Sequence, residues 1–217
     1  MKVKECMSKK PVTATMDTTV PEAFQLMKDK NIRRLPVLEH NKLVGIVTVK
    51  DLGEVAPSKA TTLSIFEINY LLAKTTLREV VDKSRKVITI SPDANMEKAA
   101  LVMRENKIGG IPVVDGDKLV GIITETDIFD SFIEILGVNR RGTRIDLELS
   151  DEIGSVAKIT KLMADMGLNI QNLVVIPREG SKTAELILRL ETLESEKVVR
   201  ILKEEGYHVI EAITKNY

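Results

Sequence analysis

The sequence predicts a mixed α/β (α+β) protein: two tandem β-α-β-β-α units packed as a pseudo-symmetric pair, then a smaller β-α-β-β-α-β domain. Three observations predict it. Residues 12–52 align without gaps on residues 88–128 at an offset of 76, with fourteen of the 41 positions identical. Within each copy an apolar period of 3.6 residues gives way to short apolar runs bounded by turn residues. After residue 143 the pattern changes and no longer matches the repeat.

Each copy opens with a short extended piece, PVTAT or KVITIS, followed by a helix. In the first copy Thr19 and Glu22 form a capping box, Pro21 sits in the first turn, and Ala23, Phe24, Met27 and then Ile32 make the buried stripe. Two strands follow, LPVLE and LVGIVTV, turning at His40–Asn41; their counterparts are IPVVD and LVGIITE, turning at Gly116–Asp117. A second helix begins near Asp51 or Asp127. Neither unit can bury a sheet face alone, so the two are expected to pack together. The run TTLSIFEINYLLAKTTLREVVDKS between them is helical in period, and its Arg78-Glu79-Val80 matches Lys4-Glu5-Cys6, giving each copy its own lead-in helix. The domain bounds expected are 1–76 and 77–137 for the two repeats, 138–143 (within GVNRRGT) for a linker, and 144–217 for the last domain. There RIDLEL, NIQNLVVIP, AELILRLE and YHVIEAI read as strands, with helices over Ile153–Met166 and Leu193–Glu205 stopped by Gly167 and Gly206.

Composition excludes several classes. With 32 basic and 32 acidic residues among 217 the net charge is zero, so there is no basic footprint for nucleic acid. No stretch has the roughly 18 apolar residues of a membrane span, and the N-terminus lacks the apolar core of a signal peptide, so a cytoplasmic location is expected. One cysteine, Cys6, rules out an internal disulfide framework. His40 and His208 have no Cys or His at ligand spacing, which argues against a metal site. Met27, Met103, Met163 and Met166 fall at helical core positions and read as packing.

The L-P-V strand and the element G-h-h-T-x-x-D, present as Gly45–Asp51 and again as Gly121–Asp127, resemble the CBS-domain pair, the Bateman module. The tail, through its element order, Asp151-Glu152-Ile153-Gly154 and Asn169-Ile170, resembles an ACT domain, with Ile153 where a proline is usual. Nearly the whole chain, including Leu63–Leu72 and Arg140–Arg144, is similar to the acetoin-utilisation type of CBS–ACT protein. The resemblance implies a ligand-sensing regulatory protein that binds AMP, ADP, ATP or S-adenosylmethionine.

The residues suit that chemistry. An ionised Asp accepts hydrogen bonds on two oxygens and fits the vicinal diol of a ribose. The Thr hydroxyl and the free N–H groups of a helix start fit a phosphate. Asp51 and Asp127 read equally as helix N-caps, stabilising by about 1 kcal/mol each, and capping and binding can coexist. Ahead of L-P-V the first copy has Arg33-Arg34, suited to gripping phosphate, where the second has Gly109-Gly110, which lets a ligand approach the backbone. The two pockets are therefore expected to be unequal. With the resemblance, the nucleotide-binding set is Thr13, Arg33, Arg34, Pro36, Gly45, Thr48 and Asp51 in the first copy, and Thr89, Ile111, Pro112, Gly121, Thr124 and Asp127 in the second. Asp151, Ile153, Gly154 and Asn169 are the candidates for a small carboxylate ligand in the tail.

No nucleophile–base constellation, P-loop or dinucleotide fingerprint is present, so the expected protein is not an enzyme and carries no cofactor beyond the adenine nucleotide as regulatory ligand. Exposed helix faces and sheet edges predict a homodimer, and a regulator implies a regulated partner protein. The alternative is a ligand-free scaffold in which both modules serve assembly.

Overall fold

The computed structural model describes residues 1–55, 64, 73–82, 84 and 86–216. The helical run read between the copies lies largely outside the described residues. The chain divides into two compact units, residues 1–129 and 130–217.

The first unit holds both repeats. After α1 (Val3–Cys6) and β1 (Ser8–Lys9), the first copy runs β2 (Ala14–Thr15), α2 (Val20–Asp29), β3 (Arg34–Glu39), β4 (Lys42–Thr48) and α3 (Val49–Glu54). Helix α2 starts at the expected capping box, Thr19 N–H donating to Glu22 Oε2 at 2.8 Å. Strands β3 and β4 turn at His40 and Asn41, both at positive φ (50° and 63°), the primed geometry that follows the twist of a hairpin. Helix α4 (Leu77–Val80) leads to the second copy: an isolated bridge at Ile90, α5 (Met96–Asn106), β5 (Gly110–Asp115), β6 (Lys118–Thr124) and α6 (Glu125–Ile135). The ladders carry the same irregularity, after Val37 and after Val113, so the duplication extends to backbone detail.

The lead-in segments are exchanged. Leu77, with Val80 and Val81 beside it, lies in the core of the first repeat among Ala23, Met27, Leu35 and Val37. Val3, with Cys6 and Met7, lies in the core of the second among Ala99, Met103, Ile111 and Val113. Matching backbone bonds hold both: Leu77 N–H donates to Thr18 O and Val3 N–H to Ala94 O, each at 2.9 Å. Strand β1 also joins the second copy's sheet, in the order β1-β6-β5, beside the first copy's β2-β3-β4. Each copy thus has its lead-in helix in sequence and covers the other copy with it in space.

The second unit follows the expected order: β7 (Gly142–Ser150), α7 (Ser155–Asp165), β8 (Ile170–Pro177), β9 (Thr183–Leu190), α8 (Ser195–Glu204) and β10 (His208–Lys215). Its four antiparallel strands lie in the order β10-β7-β9-β8. Ile145, Leu147 and Leu149 alternate with Leu186, Leu188 and Leu190 under Ile159, Met163, Val198 and Leu202 of the two helices. The helices are shorter than their apolar patterns: α7 starts at Ser155 after Gly154 at φ 90°, a left-handed turn that leaves Ile153 wholly exposed. The stretch read as a linker is tied down, with Gln171 donating to Arg141 O (3.1 Å) and Lys215 to Val138 O (3.2 Å), while Asn172 donates to Ile135 O (2.8 Å) at the end of α6.

Candidate ligand sites in the paired repeats

The element G-h-h-T-x-x-D builds the same local structure twice. Thr48 ends β4 in extended conformation and is itself the N-cap of α3, because its side chain accepts from Asp51 N at 3.3 Å. Asp51 stands three residues into the turn and returns the bond, Thr48 N–H and Oγ–H both donating to Asp51 Oδ2 at 2.7 Å. Thr124 and Asp127 repeat this at 2.7, 2.7 and 3.4 Å. Two expectations change. The aspartates are not N-caps but the third-position partners of capping boxes, and the threonine hydroxyl proton is spent on the carboxylate rather than offered to a phosphate. The box fixes the carboxylate through one oxygen and leaves Asp51 Oδ1 outside it.

Arg34 is paired with Thr48 across the first hairpin, and Gly110 with Thr124 across the second. The Arg34 side chain crosses to the other repeat: a methyl group on Gly109 would collide with the Arg34 guanidinium and the Glu125 carboxylate. The glycine pair of the second copy therefore seats the arginine of the first, and the ends bearing the capping boxes are drawn together. Arg33 is exposed. Glu125, one residue after Thr124, was not among the expected residues; its charge opposite Arg34 was the available signal.

The remaining candidates separate. Pro36, Ile111 and Pro112 are buried in the sheets. Gly45 and Gly121 lie under Val81 and Met7 of the exchanged lead-ins, and the absence of a side chain there admits those residues. Thr13 and Thr89 line two cavities, of about 650 and 520 Å³, at the hairpin-tip ends of the repeats. In the tail, Asp151 bonds Lys182 O beside the pair Ser150–Thr183, whereas Asn169 bonds Glu191 beside Leu190–Thr143. Those pairs are seven residues apart along β7, about 23 Å, so the four tail candidates do not come together within one chain. Among the described residues no group of three His, Cys, Asp or Glu could hold a metal, and no helix is long and apolar enough to cross a membrane.

A duplicated sheet-and-helix unit closed by exchanged lead-ins and ending in twin Thr-x-x-Asp boxes defines a CBS pair. The CBS domain family matches residues 3–56 and 71–134, and the chain belongs to that family. Its mixed α/β fold resembles several solved structures. A Vibrio cholerae protein ascribed to acetoin utilization (AcuB) is 34% identical, with a TM-score of 0.53 over 64% of this chain and 95% of the other. The CBS pair of protein MJ0100, solved with 5′-methylthioadenosine and S-adenosyl-L-methionine, is 32% identical (TM-score 0.50, 64% and 98%). CBSX2, solved with AMP, is 25% identical (TM-score 0.51, 64% and 98%). Among curated proteins, an uncharacterized Methanocaldococcus jannaschii protein is 33% identical over 136 residues. The match takes in 62% of this chain and 45% of that relative. An L-aspartate semialdehyde sulfurtransferase of the same organism, 34% identical over 128 residues, is matched over 22% of its length. The chain thus spans about half or less of these two relatives.

Proposed function

We infer that the chain is a non-catalytic sensor whose CBS pair binds an adenosine-bearing ligand, AMP, ADP, ATP or S-adenosylmethionine. The observation that carries this is the pair of identical capping boxes, each fixing an aspartate at a helix start beside the other repeat. In the first, Asp51 Oδ1 stands ready for a ribose hydroxyl. Arg34, lying across Gly109, is the cation nearest to hand for a phosphate at the second box. The adenosine compounds held by MJ0100 and CBSX2 support the choice of ligand. Of the expected set, Asp51, Asp127 and Arg34 are assigned to contact it, with Thr48 and Thr124 orienting the aspartates. Calorimetric titration with AMP, ADP, ATP, adenosine and S-adenosylmethionine tests the reading; no heat with any of them at millimolar concentration overturns it.

Residues 144–217 are assigned to an ACT domain serving dimerisation or small-ligand sensing, after repeats at 1–76 and 77–137 and a linker at 138–143. The second reading, an assembly scaffold, is favoured by one observation. Phe129, Phe132, Ile133 and Leu136, spaced along one face of α6 and its end, are 67, 39, 40 and 39% exposed. A homodimer accounts for that face, and sedimentation at micromolar protein decides: a monomer sinks it.

A further inference from the structure

The two cavities at the hairpin tips are copies of one another. Lys10, Thr13 and Leu38 on one side of the larger correspond, at the repeat offset of 76, to Lys86, Thr89 and Val114 in the smaller. Lys118 and Leu119 on its other side correspond to Lys42 and Leu43. Each cavity is therefore built from the pre-helix segment of one repeat and the hairpin tip of the other. They are not the ends that carry the capping boxes, since Lys42 and Thr48 stand at opposite ends of β4, about 20 Å apart.

The cavities differ in how many lysines are left without an ion pair among the described residues, although with Asp115 in the larger the two linings carry the same net charge. Lys42 and Asp117 line both and are paired with each other at 3.2 Å. In the larger, Lys10 and Lys118 remain, and among the described residues no carboxylate lies within ion-pair distance of either. In the smaller only Lys86 remains so. Lys10 also holds a left-handed backbone (φ 53°), a conformation that a residue with a side chain adopts at a cost and that clusters at ligand sites. Half-buried Leu38 and Leu119 supply apolar wall, and Asp115 supplies an acceptor for hydroxyls.

We propose that the larger cavity is a second ligand site, taking the phosphate groups of a small phosphorylated molecule between Lys10 and Lys118, independently of the Thr-x-x-Asp boxes. A multivalent anion replaces the missing counter-charge of both lysines at once. The source is either the phosphates of a nucleotide or a free phosphorylated metabolite.

The probe is inorganic tripolyphosphate, which has no ribose for the aspartates, titrated calorimetrically into the full chain. It binds the wild type and the Asp51→Asn/Asp127→Asn variant alike. Lys10→Gln/Lys118→Gln weakens it at least tenfold, Lys10→Arg/Lys118→Arg retains it, and Lys28→Gln/Lys98→Gln, which removes the same charge elsewhere on the unit, leaves it unchanged. AMP then separates the sources: competition with tripolyphosphate marks a nucleotide site, and undisturbed binding of both marks a free phosphorylated metabolite. No binding of tripolyphosphate, or equal weakening in the Lys10/Lys118 and Lys28/Lys98 variants, overturns the proposal while leaving the adenosine reading standing. Loss of AMP binding with tripolyphosphate retained does the reverse.

Discussion

Val81 lies with both γ-methyls against Gly45, so the lead-in of the second repeat rests on β4 of the first. Gly45→Ala forces a methyl group into that contact, and overpacking of this kind costs about 1–3 kcal/mol. The expected result is a lowered melting temperature for Gly45→Ala, substantially restored in Gly45→Ala/Val81→Ala. Lack of any recovery in the double variant would place the strain elsewhere.

Asp51→Asn and Asp127→Asn distinguish ligand contact from helix capping. An Asn oxygen still accepts from the Thr backbone and hydroxyl, so the box survives and apo stability changes little. A charged acceptor for the ribose is lost, worth roughly 1.5–3 kcal/mol, or about tenfold or more in affinity. Calorimetry with AMP and apo melting curves check both halves. Unchanged affinity with lowered stability would make the aspartates purely structural.

Arg33 and Arg34 are adjacent in sequence but not in role. Arg34→Gln is expected to weaken AMP about tenfold while sparing adenosine, which has no phosphate to grip. Arg33→Gln, altering an exposed side chain, is expected to leave both ligands unaffected. Equal effects of the two substitutions would point to long-range charge rather than contact.

In the C-terminal unit the Thr183 hydroxyl, followed by His208 at 3.2 Å and Arg178 at 3.8 Å, holds the Glu148 carboxylate below its ordinary range. Glu185 faces it across the ladder and also meets Arg178. A depressed folded-state value means that the stability Glu148 contributes is fully present above its ordinary 4.5 and is lost as pH falls through the lower folded value. The protection of β7 amides, measured against their intrinsic exchange rates, should therefore fall on acidification below that point, and Glu148→Gln should flatten the dependence. An identical pH profile in the variant would assign the acid sensitivity to other carboxylates.

The repeat, its strands and turns, and the order of the last domain were legible because they rest on local periodicity and turn chemistry. Thr-x-x-Asp is also legible as a capping box, with the threonine rather than the aspartate as the N-cap. What escaped depends on which copy a segment meets. Alignment matched Arg78-Glu79-Val80 with Lys4-Glu5-Cys6, yet nothing in it says that Leu77 enters the first core and Val3 the second. Arg34 beside Glu125, and the hairpin-tip cavities, are likewise made by one repeat against the other. Asn169 fell short for a related reason: its place in the strand order was right, but strand direction carries it to the far end of the sheet from Asp151.

The crossing of the lead-ins also sets a timetable for synthesis. A nascent chain exposes Val3 until Ala94 has been made and left the ribosome, because the carbonyl that receives its amide belongs to the second repeat. The first repeat cannot close until Leu77 and Val81 emerge, so a ribosome pausing before them holds an open core with its cover not yet translated. The earliest residues out thus wait for the second repeat, whereas the first repeat waits only for its own cover.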